Sequence, residues 1–143
     1  MDTKKSFIVL AISFALVALG ALSWAASGGV EIPLMAAKPH PGASGTASIS
    51  DGSLSIQAKG LRPNGVYTVW FVNMKPKKHE AGAGTPPYMF KTDSQGVGTY
   101  SSSLTESPFE KWQMLMIMLH PNGDPTDMKN MVGALSANVP KTK

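Results

Sequence analysis

Past residue 25, no stretch of this 143-residue chain holds a 3.6-residue apolar period for as many as ten residues, whereas period-two alternation recurs from Gly45 to Val139. An amphipathic helix requires the first pattern and a half-buried strand the second, so the chain is expected to be all-β. Thr46–Ser50 and Ser53–Lys59 alternate small or polar residues with apolar ones about Asp51-Gly52, a hairpin turn signal. In the second run Leu54, Ile56 and Ala58 share one face, with Ser53, Ser55 and Gln57 on the other, as in an antiparallel sheet with one wet side. Arg62-Pro63-Asn64-Gly65 reads as a turn in which proline fixes φ and Asn-Gly supplies positive φ.

Val66–Met74 is the strongest strand signal, and Lys75–Pro87, rich in Lys, Gly and Pro, reads as a loop. Tyr88–Thr92 and Val97–Leu104 are expected to pair as a hairpin through Asp93-Ser94-Gln95-Gly96. Trp112–Leu119 and Gly133–Val139 complete the strands, the latter with Leu135, Ala137 and Val139 facing inward. Short helical turns are expected after Ser107-Pro108 and over Pro125–Met131, each behind a capping residue. About seven short strands separated by turns form the pattern of an antiparallel immunoglobulin-like β-sandwich. That domain is expected over residues 45–143, after a linker at 26–44 whose Val30–Ala37 patch docks as an edge strand or stays loose.

The segment Gly60-Leu61-Arg62-Pro63-Asn64-Gly65-Val66-Tyr67-Thr68-Val69-Trp70-Phe71-Val72, followed by Phe90-Lys91-Thr92-Asp93-Ser94-Gln95-Gly96-Val97-Gly98, resembles the extracytoplasmic β-sandwich of anti-sigma-K-type factors. In those domains a Gly-Leu, proline-turn, Tyr-x-x-Trp strand precedes a strand and an Asp-x-x-Gly hairpin. The likeness spans roughly residues 45–120 and implies a sandwich fold and an extracytoplasmic site. Only six residues precede Phe7, where those factors carry a sigma-binding helical domain, so the resemblance implies no sigma-factor regulation.

Residues 1–25 have the three parts of an export signal. Lys4 and Lys5 form a positive start, Phe7–Leu22 is an uncharged and mostly apolar run, and Ser23-Trp24-Ala25 places small residues where a signal peptidase reads them. Cleavage after Ala25 is expected to leave a soluble exported domain, periplasmic or extracellular, with no stable membrane anchor. The chain has no cysteine, so neither a disulfide nor a thiolate ligand is available to it. After residue 25 there are 11 basic and 8 acidic side chains, a net of +3, and Arg62 is the only arginine. A nucleic-acid footprint would cluster Arg and Lys on one face, so no nucleic-acid partner is expected.

Catalysis is not expected either. The histidines are His40, His79 and His120, and no serine sits in a nucleophile elbow. Asn122, Asp124 and Asp127 lack the spacing of a calcium loop. The chemistry concentrates instead on two strands that are apolar on both faces. In Val66–Met74, Tyr67, Val69 and Phe71 share one face while Thr68, Trp70, Val72 and Met74 share the other. In Trp112–His120, Met114, Met116, Met118 and His120 alternate with Gln113, Leu115, Ile117 and Leu119.

If those strands are neighbours, Trp70, Val72, Met74 and the methionines make one apolar patch, flanked by Lys75, Lys77 and Lys78. Left open, such a patch marks a surface for a protein partner or a second copy of the chain. Otherwise Lys75–Pro87 or Val30–Ala37 folds over it. On this reading the protein is a non-catalytic binding or structural module without a cofactor. The alternative is a periplasmic copper carrier, with Met114, Met116, Met118 and His120 as soft ligands and Met35, Met74, Met89, Met128 and Met131 in reserve. Methionine also fills cores, and side chains two apart on a strand sit ~6.6 Å apart, so convergence on one ion needs bent rotamers or a neighbouring strand.

Overall fold

In a computed structural model that describes residues 29–141, every regular element is a strand. In chain order these are β1 (Val30–Ala36), β2 (Ser44–Ile49), β3 (Ser53–Lys59), β4 (Val66–Asn73), β5 (His79–Gly82), β6 (Met89–Lys91), β7 (Gly98–Ser103), β8 (Met114–His120) and β9 (Val132–Asn138). They form one sheet in the order β5-β4-β8-β9-β1-β2-β3-β7, with β6 paired to β4 beside β5, and each pairing whose register is resolved is antiparallel. Among the described residues no helix is long and apolar enough to cross a membrane. The export-signal residues 1–25 lie outside the described residues.

The sheet turns one face inward along its whole length, so that both ends contribute to a single core. β2 and β3 supply Ala47, Ile49, Leu54 and Ile56, and β4 and β8 supply Tyr67, Val69, Leu115 and Ile117, each at 1% exposure or less. Leu135, Ala137 and Val139 close the core as the alternation of that strand requires. A bulge at Ile117/Met118 lets both Ala134 and Leu135 face inward, which strict alternation would forbid.

Several expectations need correction. Val30–Ala36 is neither loose nor an edge strand, because β1 sits between β9 and β2 in the sheet order. Lys75–Pro87 contains a strand, β5, that pairs with β4 from Trp70↔Gly82 to Asn73↔His79. Tyr88–Thr92 and Val97–Leu104 do not form a hairpin: β6 pairs with β4 and β7 with β3. Beyond the Asp93 turn the two strands take different partners, while Phe90 lies over Gly98, where a Cβ would be 2.5 Å from the ring. That ring stacks on Tyr67 at 5.4 Å, which anchors β6 to β4. The segments after Pro108 and over Pro125–Met131 are turns and bends, with no helix.

Two turns behave as their residues demand. Asn64 takes the positive φ of the Arg62–Gly65 turn (54°), and the Arg62 N–H donates to the Tyr67 hydroxyl at 2.8 Å. Gly96 adopts φ 78° in the Asp93 turn, where Asp93 Oδ1 accepts the N–H groups of Gln95 and Val97, each at 2.9 Å. The Val97 and then the Gln95 N–H hold the Asp93 carboxyl below its ordinary value near 3.8. Because the folded value is the lower one, this contribution to stability is complete above the ordinary value and disappears as pH falls through the folded one. Asp93→Asn is therefore expected to flatten the acid limb of a Tm-against-pH curve below about pH 5, a comparison made by thermal melts from pH 7 to pH 2. An unchanged slope would show that the turn does not bind the carboxylate.

A methionine-lined groove as the candidate functional site

β4 and β8 are neighbours, paired from Val66↔His120 to Val72↔Met114. The alternation therefore puts Thr68, Trp70 and Val72 beside Met118, Met116 and Met114 on the face turned away from the core. Registered rows cross the strands: Glu80, Val72, Met114 and Asn138 in one, Gly82, Trp70, Met116 and Ser136 in the next. Directly opposed side chains have Cβ atoms about 5 Å apart, so thioethers, indole and carboxylate share one surface.

That surface is concave. A groove of about 350 Å³ is lined by Trp70, Val72, Met74, Lys78, Glu80, Met114, Met116, Met118, Met128 and Met131. Its six methionines arrive from three parts of the chain: Met74 just after β4, three on β8, and two from the segment between β8 and β9. Neither Val30–Ala37 nor the bulk of Lys75–Pro87 covers it; Lys78 and Glu80 stand in its wall while Pro121–Met131 supplies the far side.

Each part has a local cause. Gln113 fixes the exit of β4, its Oε1 accepting the Met74 N–H at 2.7 Å and its Nε2 donating to the Lys75 carbonyl at 2.9 Å. Asp127 organises the far side. Its Oδ2 accepts the amides of Asn122 (2.6 Å) and Asn130 (2.7 Å), and its Oδ1 accepts the Lys129 N–H at 3.1 Å. The Asn130 amide, then that of Asn122, holds the Asp127 carboxyl below the usual range. These bonds hold Pro121–Met131 as a succession of turns and bends. On the near side Gly82 lies opposite Trp70, and a Cβ there would sit 2.2 Å from the Tyr88 ring. The missing side chain admits Tyr88 against Trp70, with ring centroids 5.9 Å apart.

His120 shares the strand face of the methionines but does not line the groove. It is 2% exposed, and its Nε2 lies 2.7 Å from Thr68 Oγ1, diagonally across the β4–β8 pair. Trp70 Nε1 donates to the same Thr68 oxygen at 2.8 Å. An indole N–H can only donate, so one lone pair of the Thr68 oxygen is taken by Trp70, and the hydroxyl meets His120 Nε2 as donor or as acceptor according to the imidazole tautomer. Nδ1 has no hydrogen-bond partner among the described residues. His120 thus supports Trp70 through Thr68 and stands apart from the thioethers.

The remaining sites separate. Lys78 lines the groove; Lys75 and Lys77 are exposed outside it. Met35 is 65% exposed on β1, and Met89 borders a different hollow with Ser101 and Ser103. Among the described residues no three His, Cys, Asp or Glu side chains group as a metal site. Met128 and Met131 are its least legible members, since only their number and spacing mark them in the sequence. No protein family, curated protein or solved structure matches the chain.

Proposed function

We propose that the protein is an exported, non-catalytic β-sandwich carrier that binds Cu(I) through thioether sulfurs of the groove. The observation that carries this reading is the distribution of methionine. Among the described residues the buried core contains none, being built from Leu, Ile, Val, Ala and aromatic side chains. Six of the nine methionines in the chain line one concave surface. A residue used as a core filler would be found in the core. Neutral, polarisable thioethers suit Cu(I) better than harder divalent ions, and adjacent strands plus a folded-back segment bring methionines from three parts of the chain to one groove. The donors proposed are sulfurs of Met74, Met114, Met116, Met118, Met128 and Met131; His120 is engaged by Thr68. Trp70 adds an aromatic wall that favours a cation. The resemblance to extracytoplasmic sandwich domains and the composition of residues 1–25 support the fold type and the exported location.

The test is anaerobic titration of the purified full chain with Cu(I) against a chromophoric Cu(I) chelator, read together with tryptophan fluorescence. One Cu(I) per chain and a quench that is lost in Trp70→Phe are expected. Failure to withdraw copper from the chelator would overturn the reading.

A second reading rests on exposure. Met74 is 54% and Met128 43% exposed at the groove, and methionine-rich surfaces accept varied apolar partners. Here the groove receives a side chain of a protein partner or of a second copy. Light scattering of the metal-free chain beside Trp70→Ser distinguishes the homomeric form, which would dissociate in the variant.

A further inference from the structure

Resting on the Cu(I) reading of the groove, we infer that Glu80 supplies a counter-charge for the bound ion, opposed by Lys78 in the same wall. A site built from thioethers alone contributes no charge, and a monovalent ion in it leaves one positive charge uncompensated in a half-buried hollow. Among the described residues Glu80 is the only carboxylate in the groove wall. Its pairing opposite Val72, which is itself opposite Met114, puts it on the thioether face two strands from β8. Strands lie about 4.8 Å apart, so carboxylate and sulfurs are within roughly a Debye length at physiological salt.

Glu80 is also uncommitted. Among the described residues the one ion pair joins Lys111 to Glu106, and the Glu80 carboxylate makes neither an ion pair nor a hydrogen bond. Lys78 stands in the same wall with the opposite sign, unpaired with Glu80. The two charges must therefore act on a bound cation in opposite directions, which a purely structural role for either would not produce.

The test uses the full chain, with Cu(I) delivered from a chelator buffer, for the unmodified protein, Glu80→Gln and Lys78→Gln. Both side chains are exposed, so the fold is retained and checked by circular dichroism. Glu80→Gln is expected to weaken Cu(I) binding about two- to fivefold, the size of one charge acting at a solvent-facing rim. Lys78→Gln is expected to tighten it by a similar factor, and both effects should shrink in 1 M salt, where the Debye length is about 3 Å. Unchanged affinity in Glu80→Gln, or shifts of the same sign in both variants, overturns the counter-charge role while leaving the thioether site standing. A hundredfold loss in Glu80→Gln also overturns it, by making Glu80 a ligand. Absence of binding by the unmodified chain overturns the groove reading, and this inference with it.

Discussion

Replacing Met116 and Met118 together by leucine is expected to weaken Cu(I) binding at least about 100-fold, or roughly 2.7 kcal/mol, while the chain stays folded. Met116 faces Trp70 and Met118 faces Thr68 across the β4–β8 pair, so the two occupy the middle of the groove floor. Both are half-buried, and neither belongs to the core. Leucine is close to methionine in volume and such exchanges usually change stability by less than about 1.5 kcal/mol. What the substitution removes is sulfur. An apolar partner surface would tolerate it, because leucine presents the same apolar character. The variant therefore separates the two readings of the groove: loss of copper affinity with unchanged Tm supports the carrier, and unchanged copper affinity rejects thioether ligation by these residues.

The largest effect on folding is expected at Tyr67. Its side chain is fully buried, stacks on Phe90 and accepts the Arg62 N–H. It thus joins the strongest strand, the short strand β6 and the turn before β4 in one contact. Burial pushes its phenol above the ordinary value, so the hydroxyl stays protonated through the neutral range. Tyr67→Ala leaves a ring-sized cavity and is expected to cost about 3–5 kcal/mol, lowering Tm by on the order of 15 °C. Tyr67→Phe keeps the stack and strands only the Arg62 N–H, for about 1–3 kcal/mol. Chemical denaturation of both variants checks the order. Equal losses would mean that the hydroxyl, and not the ring, holds this corner.

How much of this was legible before the structure depends on the range of the interaction. Strand identity was legible, because alternation is written in neighbouring residues: Leu54, Ile56 and Ala58 face the core as expected, as do Tyr67, Val69 and Phe71. The adjacency of β4 and β8 was reachable as a condition, since two strands with two apolar faces each need company. Pairing partners were not legible. The Asp93 turn has the residues of a hairpin, yet β6 goes to β4 and β7 to β3, while Phe90 stacks on Tyr67 and lies over Gly98. β5 was hidden in a Lys- and Pro-rich loop that carries too few β-branched residues to announce a strand.

The site shows the same division. Met114, Met116 and Met118 were placed on one face by period two alone, and Trp70, Val72 and Met74 likewise. Met128 and Met131 reach them through the Asn122–Asp127–Asn130 hydrogen bonds, a fold-back that looked like a helix cap in one dimension. His120 shares the periodicity of the methionines, but Thr68 lies diagonally across the pair and takes its Nε2. The lysines divided by position: Lys78 turned into the groove wall, Lys75 and Lys77 away from it.

X-ray absorption at the copper edge of the Cu(I)-loaded full chain bears most directly on the central claim. A first shell of sulfur alone, without the multiple-scattering signature of imidazole, is the expected result, and it should be lost in the Met116→Leu, Met118→Leu double variant. A shell dominated by nitrogen or oxygen, or copper that washes away before measurement, would contradict the assignment of the thioether groove as the place where this protein does its work.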